Sequence, residues 1–175
     1  MRAAPQGATP RPVFGDRNLH PLGSSFHVDP VIKPNPDTTV AQRILSLTLG
    51  VFMIVAGAGH LSFARIEFQA QVPPWLPLAA NTVVLISGGV EILLGLLMIL
   101  GSRYKAWVGC ALALFFVLVF PGNVSQYVRE IDAFGLNTQG ARLGRLFVQP
   151  LLVLAALWST GAWGELFKYR DKSKS

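Results

Sequence analysis

The sequence contains one cysteine, Cys110, and this residue lies inside an apolar run. A single thiol excludes a disulfide within the chain, a CxxC redox pair and a metal cluster held by several thiolates. No apolar stretch follows Arg2, so the sequence also lacks the core of a cleaved signal peptide. The single thiol therefore excludes a thiol-relay mechanism that relies on this chain alone.

Charged residues are also scarce, at 14% of the 175 residues, and their distribution is uneven. Three long stretches carry no Asp, Glu, Lys or Arg, and Glu91 is the only charged residue in a fourth. The stretches lie between Arg43 and Arg65, Glu67 and Arg103, Lys105 and Arg129, and Arg145 and Glu165. Each contains a window of about 20 residues, which is what a helix needs to cross ~30 Å of hydrocarbon. A soluble domain would carry charges on every helix, so the sequence predicts an integral membrane protein.

The four stretches predict helices at about residues 42–64, 78–101, 104–127 and 146–163. Their Leu, Ile, Val and Phe content favours helices over the alternating pattern of a membrane barrel. The predicted fold class is therefore all-α, an integral membrane four-helix bundle. A Pro-rich extramembrane N-terminal tail (residues 1–40) precedes the bundle, and a basic C-terminal tail (residues 166–175) follows it.

The N-terminal tail has many prolines and turn residues and no apolar periodicity. This composition favours a flexible segment, or one that is ordered only by a neighbouring protein. An organellar transit peptide is an alternative, because the first fifteen residues contain arginine and no acid. The prolines of this segment, however, would break an amphipathic helix.

The net charge of +6 is explained by where the basic residues lie. Most precede the first helix, separate the second from the third, or follow the fourth. Because Lys and Arg concentrate in cytoplasmic loops, this pattern predicts that both termini are cytoplasmic. The predicted outer third loop does not fit this orientation, because it contains three arginines, Arg129, Arg142 and Arg145. The basic excess is interpreted as a topology signal, and no nucleic-acid partner is expected.

Glu91 is the one charged residue in the apolar run "LISGGVEILLG". Gly88 and Gly95, three residues before it and four after it, share its helix face. Small residues mark places where membrane helices approach closely, so Glu91 should point into the bundle. His60 has similar small neighbours in "AGAGHLSFA" on the first helix.

The third and fourth helices each add an amide, Asn123 in "FPGN" and Gln149 in "QP". The depth of each side chain follows from a rise of ~1.5 Å per residue, counted from the inner end of its helix. His60, Asn123 and Gln149 lie ~24–27 Å from that end, and Glu91 lies ~18 Å from it. Each predicted helix thus supplies one polar side chain. The spacing permits one cluster that opens outward.

Two interpretations of this cluster stay open. Amides in membrane helices often only hydrogen-bond across the bundle, and here they could satisfy carbonyls freed by Pro121 and Pro150. That structural role is favoured for Asn123 and Gln149. An ionisable residue at the depth of Glu91 costs several kcal/mol and usually marks function, so a functional role is favoured for Glu91.

A ligand-binding role can be stated in chemical terms. A carboxylate in apolar surroundings needs His60 or water to stabilise its charge. A His60–Glu91 pair that exchanges a proton suits reversible protonation of a bound quinone headgroup, and the same side chains could hold a polar lipid headgroup. His60 could also be an axial ligand of a porphyrin or share a metal ion with Glu91, although two ligands make a weak metal site.

The loop "QVPPWLP" contains three prolines and Trp75. The prolines cannot continue a helix, and an indole ring is favoured at the lipid–water boundary. We therefore expect a stiff cap at the outer membrane surface, with Trp75 as a membrane-interface residue.

The chain contains four motifs in this order: "AGAGHLSF", "VPPWLP", "SGGVEILLG" and "VFPGN". In these motifs and their order it resembles the DoxX-like family of small four-helix bacterial membrane proteins, from about Ile44 to Asn123. His60, Glu91 and Asn123 fall on the matching motif positions. The sequence departs from the family pattern at "HL" for "HF" and at "PGN" for "PAN". The resemblance implies a bacterial inner-membrane location and an association with quinone-linked redox chemistry.

The first functional hypothesis is a non-catalytic accessory subunit of a larger membrane electron-transfer complex, which holds a quinone or a lipid and contacts other subunits through residues 1–40. The alternative is a quinone-linked oxidoreductase that uses His60 and Glu91 for proton transfer. It would need a soluble partner, because the sequence contains no visible electron carrier. A transporter is less favoured, because no inverted repeat is evident.

Overall fold

The computed structural model describes residues 35–101 and 103–172, with side chains described through residue 167. These residues form six helices and no strand, which confirms the predicted all-α class. The helices are α1 (Val40–Leu61), α2 (Arg65–Gln71), α3 (Ala80–Ile99), α4 (Lys105–Val128), α5 (Gln139–Ser159) and α6 (Ala162–Lys172). Four of them, α1, α3, α4 and α5, are long and apolar enough to cross a membrane. The chain is a four-helix membrane bundle with two additional short helices.

The outer surface of the bundle is apolar along all four spans. Val55, Leu93, Leu118 and Leu151, one from each span, are 57%, 57%, 67% and 62% exposed. A continuous apolar surface of this kind is unfavourable in water and is solvated by acyl chains in a bilayer. The interior is filled by a smaller set of large side chains, including Met53, which is 1% exposed.

Helices α1 and α3 run antiparallel and approach closely at two glycine pairs. A Cβ atom added to Gly57 would lie 2.6 Å from the carbonyl oxygen of Gly88. A Cβ atom added to Gly95 would lie 2.6 Å from the carbonyl oxygen of Gly50. The glycines of each helix are two turns apart and therefore share one face. We call these four residues the glycine ladder.

The first span is shorter than predicted, and α2 was not predicted. Helix α1 ends at Leu61 rather than residue 64, because Ser62 leaves helical geometry with φ −137° and ψ −104°. The chain becomes helical again at Arg65, and α2 packs against α1, α3 and α4. Its sequence, "RIEFQAQ", is polar, which suits a helix that covers the end of the bundle rather than one that crosses it.

The predicted start of the fourth span, residue 146, is wrong by two turns. Helix α5 begins at Gln139, where the Thr138 side chain caps it by accepting a hydrogen bond from the Ala141 amide. Arg142 and Arg145 therefore lie in the helix and not in the third loop. The charge of Arg142 is tolerated there because it pairs with Asp132.

The opposite end of the bundle also differs from the prediction. Gly161, at φ +75°, ends α5, and α6 then runs through most of the predicted basic tail, whose Lys, Arg and Leu residues are good helix formers. Pro36 is buried against Gly161, and Gln42 donates a hydrogen bond to the Trp158 carbonyl at 2.7 Å. The last residues of the predicted N-terminal tail thus pack on the bundle. Residues 1–34 lie outside the described residues.

Candidate functional site

A cavity of about 410 Å³, which we call the polar cavity, lies at the end of the bundle that carries α2. Its walls come from α1, α2, α3, α4, α5 and the α4–α5 loop (residues 129–138). All four polar residues predicted from the sequence, His60, Glu91, Asn123 and Gln149, line it. Most of the remaining wall is aromatic or aliphatic. The volume and the apolar lining with a few polar groups are typical of small-molecule sites.

The glycine ladder explains why His60 and Glu91 meet. Glu91 lies between the two ladder glycines of α3, and His60 lies one turn beyond Gly57 on α1. A Cβ atom added to Gly57 would lie 3.1 Å from Glu91 Cβ, and one added to Gly88 would lie 2.7 Å from His60 Cβ. Each glycine thus leaves room for the polar side chain of the opposite helix, and the two side chains flank the same close contact. Sequence spacing on each helix is enough to place both side chains in the bundle interior.

His60 and Glu91 form a close buried pair. Each residue is 7% exposed, and His60 Nδ1 lies 2.8 Å from Glu91 Oε2 and 2.9 Å from the Ala56 carbonyl oxygen. A carbonyl oxygen can only accept, so Nδ1 carries a hydrogen. Oε2 of Glu91 is shielded from solvent and accepts no hydrogen bond of normal geometry from the described residues. Glu91 Oε2 is therefore a buried acceptor without a donor among the described residues.

Asn123 and Gln149 form a second pair, which joins α4 to α5. Asn123 Nδ2 donates to Gln149 Oε1 at 2.8 Å, and Gln149 Nε2 donates to the Phe116 carbonyl at 2.6 Å. Pro121 has no amide hydrogen, so the carbonyl of Val117, four residues before it, lacks its helical hydrogen-bond donor. The bonded carbonyl is that of Phe116 and not the one freed by Pro121, so the pair makes the cross-helix contact of a structural role but does not fill the predicted position. Among the described residues, no hydrogen bond joins this pair to His60 or Glu91.

Sequence reasoning missed a third polar group, made by Gln71, Gln126 and Arg145. Arg145 Nη1 donates to Gln126 Oε1 at 3.0 Å, and Nη2 donates to Gln71 Oε1 at 3.3 Å. Gln71 Nε2 donates to the same Gln126 oxygen at 2.9 Å. Gln71 and Arg145 line the polar cavity. Gln126 is 1% exposed and accepts hydrogen bonds from both of them. The only signal in the sequence was that polar residues flank the apolar runs.

An aromatic stack covers the His60 side of the cavity. The Phe68 ring of α2 stacks on His60 at 3.4 Å between ring centroids, and the Phe134 ring meets Phe68 edge-on at 4.6 Å. Glu67 accepts a hydrogen bond from the Phe134 amide at 2.5 Å, which ties the α4–α5 loop to α2. Phe134 has φ +57°, a left-handed conformation that costs on the order of 1–3 kcal/mol in a residue with a side chain. The surrounding contacts hold it in place.

A second cavity of about 150 Å³, which we call the side cavity, lies between α2, α3, α4 and the link after α2. It shares four wall residues with the polar cavity: His60, Phe68, Gln71 and Val119. Trp75 lines it and is 69% exposed, and its place at the membrane interface stays a prediction. Ser87, also on its wall, bonds the Val83 carbonyl of its own helix.

The described residues contain no group of three His, Cys, Asp or Glu that could hold a metal ion. His60 and Glu91 could supply two ligands at most, and a stable site needs further ones. The chemistry that this cavity can perform with its own side chains is hydrogen bonding, charge stabilisation and proton exchange.

A comparison with protein-family models matched residues 49–160 to a family described as a domain of unknown function (DUF8561). The match spans all of α2–α5 and most of α1, and so includes every residue that lines the polar cavity. Comparisons with curated proteins and with solved structures found no match. The resemblance to the DoxX-like family stays a prediction, because the matched description names neither that family nor an activity.

Proposed function

The chain belongs to the DUF8561 family, whose description names no activity, and from its site we propose that it is a non-catalytic subunit of a membrane electron-transfer assembly that holds a quinone or a lipid headgroup in the polar cavity. One observation carries the proposal. Polar side chains from all four spans line one cavity whose remaining wall is apolar. A structural role alone would require only that these side chains pair with each other.

The chemistry of the cavity suits the head of a membrane-resident amphiphile. A quinone ring is flat and apolar and has a carbonyl acceptor at each end, so it needs aromatic walls and separated donors. Phe115 and Phe116 supply such walls, and Arg145 and the second amide hydrogen of Asn123 supply N–H groups. The side cavity gives an apolar compartment beside the headgroup for the ligand's chain. The predicted resemblance to a family with quinone-linked members favours the same class of ligand.

The ligand proposal is tested by asking what the purified protein carries. Lipophilic molecules are extracted from protein purified in mild detergent and identified by mass spectrometry. Val119 walls both cavities, so Val119→Trp should fill them, while Val117→Trp changes an exposed side chain of the same helix. We expect one enriched molecule in the wild type and in Val117→Trp, and its loss in Val119→Trp. The same bulk phospholipids in all three preparations would contradict the proposal.

The proposal of an accessory subunit rests on the small size of the bundle and on residues 1–34, a segment outside the described residues that is long enough to reach a partner. We further propose a location in the bacterial inner membrane with both termini cytoplasmic, based on the basic residues around the inner helix ends. Purification in mild detergent followed by mass analysis should recover stable partner proteins. Migration of the protein as a lone monomer would contradict the subunit role.

The His60–Glu91 contact favours a second candidate function, a quinone-linked oxidoreductase. Reduction of a quinone takes up two protons and two electrons, and a buried imidazole–carboxyl pair 2.8 Å apart can deliver protons while a soluble redox partner supplies electrons. Glu91→Gln keeps the shape of the side chain and removes its exchangeable proton. Quinone reduction at an unchanged rate in this variant would rule out a proton-transfer role for Glu91.

A further inference from the structure

Arg145 adds a positive charge to the wall of the polar cavity. Among the described residues, no carboxylate lies within ion-pair distance of its guanidinium group. Arg142, one turn earlier on the same helix, is different, because it pairs with Asp132. The two arginines therefore differ in kind: one is neutralised within the chain and the other is not.

The guanidinium group of Arg145 is held by neutral groups only. Its two terminal nitrogens each donate one hydrogen bond, to Gln126 and to Gln71, and its Cζ atom lies 5.1 Å from the centre of the Phe134 ring. A guanidinium group has five N–H donors, so three remain without partners among the described residues. Amide dipoles and an aromatic face orient a cation, but they do not cancel its charge.

The frame around Arg145 is fixed before any ligand arrives. Gln126 Nε2 donates to the carbonyls of Ile131 and Ala133, each at 3.3 Å, and this orientation turns the Gln126 oxygen towards Gln71 and Arg145. Gln71 donates to the same oxygen and offers its own oxygen to Arg145. Both amides are buried, at 7% and 1% exposure. A cation held rigidly with free donors is a preorganised site for an oxygen anion.

The one acidic residue among the described residues of the cavity wall makes no ion pair with Arg145. Glu91 is close to His60 and makes no contact with Arg145. Arg145 thus keeps its charge at a place where no described carboxylate contacts it.

We propose that Arg145 binds an anionic oxygen of the ligand, so that the polar cavity selects an amphiphile with an acidic headgroup. This inference rests on the proposed ligand-binding function and specifies the chemistry of its ligand. The anionic headgroup contacts the free N–H groups of Arg145. The apolar part of the ligand lies against the aromatic wall and extends into the side cavity.

The test compares phosphatidylglycerol, which is anionic, with a diacylglycerol that has the same acyl chains and no phosphate, in binding titrations to the detergent-purified protein. We expect the wild type to bind phosphatidylglycerol about tenfold or more tightly than the diacylglycerol, because a hydrogen bond to a charged group contributes that much. Arg145→Gln should abolish the preference and retain diacylglycerol binding, which also shows that the variant is folded. Arg129→Gln removes an exposed charge outside both cavities and should keep the preference.

A second variant keeps Arg145 and neutralises it in place. Gln71→Glu puts a carboxylate 3.3 Å from its Nη2 atom, as an internal competitor of the ligand, and should lower phosphatidylglycerol binding by a similar factor. A preference for phosphatidylglycerol that is equal in the wild type and in Arg145→Gln would overturn the inference. Inorganic phosphate that binds as tightly as phosphatidylglycerol would also overturn it, by showing a site for the free ion. If neither amphiphile binds the wild type saturably, the proposed function itself fails.

Discussion

Replacing Gly88 with alanine would place a methyl group where α1 and α3 are closest. The added Cβ atom would lie 2.7 Å from the Cβ atom of His60 and 3.1 Å from the Gly57 carbonyl oxygen. Neither atom is at the end of a flexible side chain, so the contact can be relieved only if α1 moves away from α3. Gly89, the next residue, is a matched control, because a Cβ atom there would meet nothing within 4 Å.

The magnitude follows from comparing the two variants. Each replaces a helical glycine with alanine and gains a similar helix propensity, roughly 0.8–1.0 kcal/mol, so this contribution cancels in the comparison. What remains is the cost of forcing an extra methyl group into a packed interface, about 1–3 kcal/mol. We therefore expect Gly88→Ala to be less stable than Gly89→Ala by that amount.

The free energy of unfolding of both variants can be measured in mild detergent by titration with a denaturing detergent, with helicity as the readout. Because the shift of α1 moves His60 away from Glu91, ligand binding should weaken in Gly88→Ala and stay unchanged in Gly89→Ala. Equal stability of the two variants would refute the close packing of α1 on α3 and with it our explanation for the His60–Glu91 contact.

Two further predictions use the same unfolding assay. Gln149→Leu leaves the Asn123 amide and the Phe116 carbonyl without their cross-helix partner, so we expect a loss of about 1–2 kcal/mol; a stability equal to that of the wild type would show that these bonds are dispensable. Asp132→Asn removes the charge that pairs with the buried Arg142 but keeps an acceptor oxygen on an exposed side chain, so we expect a smaller loss of about 0.2–1 kcal/mol. An unchanged unfolding curve would mean that water satisfies the buried guanidinium group.

The four spans and the position of the His60–Glu91 pair could be read from the sequence because each rests on a strong local signal. Uncharged runs of about 20 residues have few explanations other than a membrane span. Gly88 and Gly95, three before and four after Glu91, mark the face that packs against a neighbouring helix. Helix periodicity alone thus turns the carboxyl group inward, without knowledge of its partner.

The role of Arg145 could not be read from the sequence, and the reason is physical. The predicted fourth span was delimited by charge, so Arg145 was placed just outside it by construction. A buried arginine is stabilised by partners that are distant in the chain, and Gln71, which accepts from Arg145, is 74 residues away. Only the folded bundle brings these residues together.

Helix α2 was missed for a related reason. Its seven residues are too few to give an amphipathic pattern, and the polar character of "RIEFQAQ" is equally typical of a loop. Contacts with three other helices, rather than intrinsic propensity, stabilise so short a helix. The aromatic cover that Phe68 forms over His60 was consequently invisible at the sequence level.

The claim that the polar cavity binds one amphiphile is tested most directly by calorimetric titration of the detergent-purified protein with a short-chain quinone analogue and with phosphatidylglycerol. For at least one of them, saturable binding of one molecule per chain is predicted. That binding should be lost in Val119→Trp and retained in Val117→Trp. Uptake that rises linearly with concentration and is the same in all three proteins would contradict the claim.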